Sequence, residues 1–404
     1  MNSPPAPAFR SPVFLRQHIR WIMDFYADRA TDVSGGMYHY YLDDGTVFDV
    51  RTRHLVNATR FVITYAMLHK LTGEARYQAG VRHAVDFLRA AFRDPASGGY
   101  AWMIDWHEGR ASVLDGTRHC YGMAFVMLAY AHAVNSGVTE ARGWLAETFE
   151  LAEQHFWEPE AGLYADEATP DWTVANYRGQ NANMHACEAM IACFAATGEQ
   201  HYLERAETLA RNITCRQAAL AGDMIWEHYR RDWSVDWEYN LHDQTNIYRP
   251  WGYQPGHHTE WAKLLLQLDA HLPADWHLPR AEALFKAAVT HAWDGDHGGF
   301  HYGFAPDDTI CDADNYHWVQ AETLAAAALL AIRTGQAEYW DCYDKTWAYC
   351  WRHFVDHEQG AWFRILDAAN LNHTREKSPA GKVDYHNIGA CFDVLRAMGE
   401  TKGA

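Results

Sequence analysis

A short signature of aromatic and glycine residues recurs about every 60 residues along the chain, and this period constrains the fold more than any other feature. In each copy an aromatic and an acidic residue precede one or two glycines, and further aromatics follow. The six copies are marked by Gly36, Gly99, Gly162, Gly222, Gly299 and Gly360, at intervals of 63, 63, 60, 77 and 61 residues. A fixed period of this kind indicates one structural unit that is repeated around or along an axis.

The sequence between the markers has the periodicity of α-helices. In residues 52–73, for example, Leu55, Phe61 and Tyr65 belong to an apolar set with a spacing near 3.6, and the pattern stops at Gly73. The corresponding patterns of the other repeats end at Gly137, Gly198, near Leu272, at Gly335 and at Gly399. Each repeat is therefore predicted to contain two helices and a short hairpin.

Six helix pairs without polar linkers between them predict a closed ring. The expected fold class is all-α, an (α/α)6 barrel with short β-hairpins between the helix pairs. An open superhelix of helical hairpins is the alternative, but these repeats are longer than the roughly 34 to 45 residues of helical solenoid repeats. We predict one domain over residues 1–404, with residues 1–10 as a flexible N-terminal tail.

Composition and charge restrict the partners and the compartment of the protein. The chain has 34 Lys and Arg against 52 Asp and Glu, a net charge of -18, which argues against nucleic acid and anionic membranes as partners. Its longest apolar run, residues 324–332, is too short to span a bilayer. The N-terminus lacks the pattern of a secretion signal, and eight cysteines without CxxC spacing suit reduced thiols. We therefore expect a cytoplasmic protein; a homo-oligomer stays open.

The second helix of every repeat begins with histidine or other polar residues and only then becomes apolar. If these helices form the inner ring, their N-terminal turns meet at one mouth of the barrel, where unpaired N–H groups also point. This pattern predicts a polar binding site for a small molecule. The starts are residues 52–54, 118–121, 180–185, 255–260, 315–320 and 384–387.

Three histidines in these turns suggest acid–base chemistry. His185 and His386 both lie 13 residues before the glycine that ends their helix, in repeats three apart, so a closed ring places them on opposite walls at equal depth. His257 lies about 15 residues before Leu272. Imidazoles facing one pocket could move protons on and off carbon near neutral pH. One such histidine could equally be a helix cap or a satisfied core group, but six polar helix starts favour a site.

Other motifs give weaker indications of a functional site. His185 and Glu188 have the i, i+3 spacing of a bundle di-metal site, but a second pair of this kind is missing, so we predict no metal and no other cofactor. Glu260 and Glu322 could serve only as structural partners of arginines. The Trp-rich markers are more typical of packed hairpins than of aromatic surfaces on which a sugar ring stacks. Neither a phosphate-binding glycine loop nor a nucleophile elbow is found in the sequence.

The chain resembles the N-acylglucosamine 2-epimerase superfamily from about residue 15 to its C-terminus. The resemblance is carried by Arg60, by residues 181–185 (Asn-Ala-Asn-Met-His), by residues 255–257 (Pro-Gly-His), by Glu260 with Trp261, and by residues 385–387 (Tyr-His-Asn). Members are (α/α)6 barrels, in agreement with the repeat count. The resemblance implies a catalytic domain that transfers a proton, without a cofactor, at the carbon next to a sugar carbonyl.

The resemblance also implies roles for individual residues. His386 would be the base that takes the C2 proton, and His257 would be the second acid/base that also assists ring opening. Arg60 would hold the carbonyl oxygen and stabilise an enediolate. The implied substrate-binding residues are His185, Asn181 and Tyr121 for the sugar hydroxyls, Glu260 to orient His257, and Trp318 as a stacking wall.

Two sequence features narrow the range of sugars that the resemblance allows as substrate. Gly381 stands where cellobiose epimerases of the superfamily carry tryptophan, and residues 248–254 resemble the branch that acts on free mannose. The expected reaction is the aldose–ketose isomerisation of D-mannose and D-fructose through an enediolate. Epimerisation of mannose and glucose at C2 by the same residues is the alternative. Two other classes of protein stay open. One is an (α/α)6 glycoside hydrolase that uses two of Glu188, Glu260 and Glu322 as its catalytic carboxylates. The other is a sugar-binding protein without turnover.

Overall fold

Twelve α-helices alternate between an outer and an inner ring in the computed structural model, which describes residues 4–27 and 29–401. The outer helices are α1 (Pro12–Tyr26), α3 (Ala75–Phe87), α5 (Ala141–His155), α7 (Gln200–Arg211), α9 (His277–Ala292) and α11 (Ala337–His353). The inner helices are α2 (Leu55–Thr72), α4 (Cys120–Asn135), α6 (Gln180–Thr197), α8 (Pro255–Asp269), α10 (His317–Thr334) and α12 (Tyr385–Ala397). Helices α3 and α7 continue as π-helical turns, Leu88–Phe92 and Asn212–Gln217.

The inner ring is closed. Each inner helix contacts the next one along the chain, and α12 contacts α2. The inner helices are buried on nearly all faces because outer helices cover their backs; in α10, for instance, residues 319–331 are all buried. A helix that is apolar on every side is typical of such a position. The predicted (α/α)6 barrel is therefore confirmed.

Short antiparallel strands tie each repeat to the next at the end where the inner helices begin. With one exception, the strand that leads into an inner helix pairs with a strand of the following repeat. These pairs are β3 (Thr52–His54) with β4 (Met103–His107), β6 (Arg118–His119) with β9 (Glu167–Ala168), β10 (Arg178–Gly179) with β11 (His228–Tyr229), β13 (Ile310–Tyr316) with β14 (Ile365–Leu366), and β15 (Glu376–Ser378) with β1 (Tyr40–Leu42). Before α8 the link is a single bridge between Tyr253 and Phe304.

The predicted hairpins lie within this ring of strands. Strand β1 pairs with β2 (Val47–Asp49), β4 with β5 (Arg110–Asp115), β7 (Trp157–Glu158) with β8 (Leu163–Tyr164), and β12 (His301–Phe304) with β13. The marker glycines lie elsewhere except for Gly162, which is in the β7–β8 hairpin: Gly36 and Gly299, for example, lie in turns that are closed by the single bridges Thr31 with Met37 and Trp293 with Phe300. Gly36 has a φ of 70°, and a Cβ there would lie 2.4 Å from the ring of Phe87, so both the backbone and the packing require glycine.

The acidic residue of the signature is paired with a buried cation in four repeats. The cation stands on the strand that leads into the inner helix, and the acid stands at the start of the turn. These pairs are Arg53 with Asp32 (2.7 Å), Arg118 with Asp94 (3.0 Å), Arg178 with Glu158 (2.6 Å) and Lys377 with Asp356 (2.6 Å). The recurring signature is thus an ion pair that fixes a hairpin against the start of an inner helix.

The segment from Pro4 to Arg10 is docked on α11. The Phe9 ring stacks on Trp347 with centroids 5.5 Å apart, the Trp351 indole N–H donates to the Pro4 carbonyl, and Arg10 pairs with Asp344 at 2.6 Å. The expectation of a flexible tail over residues 1–10 is therefore corrected for this segment, because its aromatic and charged side chains have partners; residues 1–3 lie outside the described residues. Within the described ranges, no helix is both long and apolar enough to cross a membrane.

We predict that Arg53→Met lowers the free energy of unfolding by about 3–5 kcal/mol, because it leaves the buried Asp32 carboxylate without its cation. Arg51→Met is the matched control, two residues earlier and immediately before the same strand. Its partner is Asp105, and the Arg51 side chain is 54% exposed, so the expected loss is below about 1 kcal/mol. Urea-induced unfolding of both variants measures the difference; equal losses would contradict the role assigned to the buried pairs.

Candidate active site

One ring nitrogen of His386 is held by a carboxylate, and the other ring nitrogen faces an arginine. It is the second residue of α12, and its Nδ1 lies 2.7 Å from Oε1 of Glu322 on α10. An ionised carboxylate can only accept, so Nδ1 carries the proton and donates, which leaves Nε2 as an acceptor. Nε2 lies 3.2 Å from Nη2 of Arg60. Burial and the Arg60 charge lower the pKa of His386 well below its ordinary value, so the ring is neutral and can act as a base.

His257 has the same arrangement with a different carboxylate. Its Nδ1 lies 2.9 Å from Oε1 of Glu227, and the other Glu227 oxygen accepts from the Gln180 side chain at 2.9 Å. Both contacts leave Nε2 of His257 available as a second acid/base.

The expectation that Glu260 orients His257 is therefore wrong. Glu260 lies deeper in the barrel, 3.8 Å from the Lys263 ammonium and 4.0 Å from Nδ1 of His185. Glu227 could not be found among the polar helix starts, because it stands in the connection after α7 and not on an inner helix.

The local sequence explains why these two histidines stand at the mouth. Pro255 is the first residue of α8, where its missing N–H would have no partner in any case, so His257 falls in the first turn. Gly256 allows the Trp318 ring to approach, since a Cβ at this position would lie 2.4 Å from it. Before α12, Asp384 adopts a φ of 44°, and its buried carboxylate accepts from Lys382 at 2.7 Å and from the Tyr26 hydroxyl at 2.5 Å.

Arg60 places a positive charge beside His386. Its Nη2 lies 3.3 Å from the Tyr121 hydroxyl as well as 3.2 Å from His386, and its guanidinium packs over the Phe125 and Tyr385 rings at 4.7 Å each. Among the described residues Arg60 has no carboxylate within ion-pair distance. A cation that is buried against aromatic rings and not neutralised is suited to stabilise an anion formed on a bound molecule.

The remaining predicted residues line the walls around this centre. The Tyr121 ring lies 5.0 Å from the His185 ring, and Asn181 stands one turn before His185 on α6 with its Oδ1 unpartnered. The Trp318 ring lies between the two candidate bases, 5.0 Å from His257 and 5.7 Å from His386. Contacts therefore connect six of the eight predicted site residues into one cluster, namely His386, Arg60, Tyr121, His185, Trp318 and His257. Asn181 stands beside this cluster on α6, and Glu260 lies deeper in the barrel.

A buried charge network lies below the histidines. Lys263 donates to Oε2 of Glu322 at 2.6 Å, and His185 contacts Glu188 at 2.9 Å. Glu260 is fully buried, and neither of its oxygens has a hydrogen-bond partner. Burial and the neighbouring Glu322 raise the pKa of Glu260 well above its ordinary value, whereas the surrounding carboxylates raise the pKa of Lys263 despite burial. The surroundings therefore favour the neutral form of Glu260 and the charged form of Lys263.

Two groups of side chains within the described ranges have the spacing of a metal site. One consists of His185, Glu188 and Glu260, and the other of Glu260, Glu322 and His386, with ligand atoms within 4.8 Å of one another. In the second group the Lys263 ammonium is bound to Glu322, and His386 donates to the same carboxylate. These contacts place the positive charge of Lys263 beside the group and occupy both oxygens of Glu322 and Nδ1 of His386.

The chain belongs to the N-acylglucosamine 2-epimerase (GlcNAc 2-epimerase) family, since the model of that family matches residues 36–390. It is 49% identical over 394 residues to the D-mannose isomerase of Marinomonas mediterranea, covering 97% of this chain and 99% of the relative. It is 38% identical over 306 residues to the D-mannose isomerase of Thermobifida fusca, covering 75% and 74%. A crystal structure of D-mannose isomerase, 49% identical, superposes with a TM-score of 0.94 over 97% of this chain and 99% of that one. The resemblance seen in the sequence is confirmed.

We predict that His257 carries its proton on Nδ1 and that Glu227→Gln removes this preference, because a side-chain amide can donate as well as accept. Nitrogen-15 NMR of labelled histidine reports the tautomer directly. Glu207→Gln is the matched control, since Glu207 also contacts a histidine, His277, at 2.7 Å but in the outer ring. An Nε2-protonated His257 in the unmodified protein would contradict the arrangement described above.

Proposed function

We propose that this protein is an aldose–ketose isomerase that interconverts free D-mannose and D-fructose. The observation that carries the proposal is the contact of 3.2 Å between the base nitrogen of His386 and the guanidinium of Arg60. A sugar bound there meets a base for its C2 proton and a cation for its carbonyl oxygen at the same time. The names of the relatives at 49% and 38% identity support the substrate.

In the proposed mechanism the open-chain sugar places its carbonyl oxygen against Arg60. Nε2 of His386 takes the proton from C2, and the enediolate that forms is stabilised by the Arg60 charge. Nε2 of His257 accepts the proton from the oxygen on C2 and passes it to the oxygen on C1. Beforehand it opens the sugar ring by taking the proton of the anomeric hydroxyl and passing it to the ring oxygen. His386 then returns its proton to C1, which gives the ketose.

The walls of the cavity are proposed to hold the sugar. His185, Asn181 and Tyr121 would bind hydroxyl groups, and Trp318 would pack against a face of the sugar. We assign Glu260 to the buried network instead of to the substrate, because its carboxyl group is fully buried and beside Glu322. We further propose that the whole described ring acts as one catalytic domain.

Epimerisation of mannose and glucose at C2 is the second candidate. It is favoured by the presence of two independently oriented bases, His257 and His386, on different helices. A base on the other face of C2 could return the proton there and invert the centre. Glycoside hydrolysis has less support, because Glu188, Glu260 and Glu322 lie in the buried network, where Glu188 and Glu322 bind His185, Lys263 and His386.

We also propose that the reaction needs no metal ion, since Lys263 and Arg60 provide the positive charge at the site. We propose a cytoplasmic location as well, because the buried free thiols on inner helices, such as those of Cys120 and Cys187, are suited to a reducing compartment.

A time course of D-mannose followed by NMR in the presence of excess EDTA tests the proposal. We expect fructose as the first product. Glucose as the first product would establish the epimerase instead, and the absence of any product from mannose would refute the substrate. Activity that EDTA removes and Mn²⁺ or Zn²⁺ restores would refute the metal-independent mechanism.

We predict that His386→Ala and His257→Ala each lower kcat on mannose by about 10³-fold or more, because each removes a general acid/base. Circular dichroism should show an unchanged helix content. His201→Ala is the control, since His201 stands on outer helix α7 with its side chain 46% exposed, and it should keep full activity. Substantial turnover in either site variant would remove that histidine from the mechanism.

A further inference from the structure

The turn that leads into α12 has a strained backbone. Gly381, Val383 and Asp384 have φ angles of 85°, 42° and 44°, all in the left-handed region. Glycine adopts this region freely, and aspartate adopts it more often than most residues, but for a branched residue such as valine it is a rare outlier. A backbone of this kind persists only where the surrounding contacts hold it.

A buried ion pair spans the strained residues. Nζ of Lys382 lies 2.7 Å from Oδ2 of Asp384, and the two side chains are 2% and 0% exposed. The same oxygen accepts from the Tyr26 hydroxyl of α1 at 2.5 Å, and the Val383 N–H donates to the Ser378 hydroxyl at 3.2 Å. Because Lys382 and Asp384 flank Val383, their attraction holds the turn closed around it.

The turn sets the position of His386. Asp384 is the residue directly before α12, and its carbonyl accepts from the N–H of Ile388 at 3.0 Å, so it begins the hydrogen-bond ladder of the helix. A rotation of the backbone at Asp384 therefore moves the first turn of α12, in which His386 is the second residue. Nε2 of His386 would then leave its place 3.2 Å from Arg60.

We propose that Lys382 is a positioning residue for the reaction: its ion pair with Asp384 holds the strained turn and thereby places His386 against Arg60. The inference rests on the proposed function of His386 as the base. A contribution to stability alone would lower the free energy of unfolding without moving His386, and the experiments below separate these two roles.

The charge on Lys382 depends on the groups that face it. Burial lowers the pKa of Lys382 to about 8, with a further contribution from Lys377 on β15, whereas Asp384 and Asp43 in the turn after β1 raise it. Burial and the charge of Lys382 lower the pKa of His317, at the start of α10, well below its ordinary value, so His317 is neutral. The ion pair is therefore complete below about pH 8 and is lost as the pH rises above it.

The first experiment combines Lys382→Met with two substitutions of Val383. Lys382→Met alone should lower kcat on mannose by about 10²-fold, as expected for a displacement of about 1 Å, while KM stays within about threefold. Adding Val383→Gly should restore kcat at least about tenfold, because glycine adopts the left-handed region without the ion pair.

Val383→Ala is the matched control for this rescue. It removes almost the same side chain but keeps the Cβ, so the strain remains and the double variant with Lys382→Met should recover no activity. Equal recovery in the two double variants, or an unchanged kcat in Lys382→Met, would overturn the inference.

The pH dependence of kcat tests the ion pair in the unmodified protein, so it does not require Lys382→Met to fold. We expect kcat to fall above about pH 8, as Lys382 loses its proton. In Lys382→Arg this fall should be absent, since a guanidinium stays charged. A constant kcat above pH 8 in the unmodified protein, or the same fall in both proteins, would contradict the role of the charge.

A further measurement needs no sugar and separates this inference from the proposed function. Nitrogen-15 NMR of labelled histidine should show one Nδ1-protonated state of His386 in the unmodified protein and broadened or additional signals in Lys382→Met, while the signals of His257 stay unchanged. This result in a protein that does not convert mannose would refute the proposed function but would still show that Lys382 positions His386. Unchanged signals of His386 in Lys382→Met would rule out the positioning role whatever the substrate.

Discussion

The seam between the first and last repeats is the contact on which the site depends. Arg60 stands on α2 and His386 on α12, 326 residues apart in the chain, yet their side chains lie 3.2 Å from each other. Strand β1 pairs with β15 across the seam, and the Asn57 side chain bonds the Pro379 carbonyl next to it. The cation and the base therefore meet only when the ring is closed.

The charges beneath the cavity follow one rule: each candidate base is fixed by a carboxylate that is itself held by a donor. Glu322 is held by Lys263 and Glu227 by Gln180. Burying ionised groups costs several kcal/mol each unless their hydrogen bonds are satisfied. These second contacts reduce that cost, and they also keep the carboxylates in the acceptor form that fixes the histidine tautomers. The geometry at the mouth thus depends on contacts one layer below it.

The helical part of this arrangement could be read from the sequence, because helical periodicity and polar helix starts are local signals. His257 and His386 stand in the polar helix starts, whereas Arg60 was implied only by the family resemblance. Arg60 contacts His386 directly, and Trp318 packs against both histidines. Glu227 was missed because its place is set by strand register. Its carbonyl accepts from the N–H of Gln180, as the Asp166 carbonyl accepts from Cys120 one repeat earlier.

Strands of two residues carry too little pattern to fix a register, so the sequence alone could not place this carboxylate. The same holds for the docking of Phe9 on Trp347, which joins parts of the chain with no common local signal.

The position of the seam has a consequence for the synthesis of the protein. A ribosome that adds about 5–20 residues per second needs on the order of tens of seconds between Arg60 and His386. During that interval the nascent chain is an open arc, in which β1 is an edge strand that lacks β15. An unpaired edge is a template for association with other chains. The nascent chain is therefore inactive until α12 has left the ribosome, and it is most prone to misassembly during the same interval.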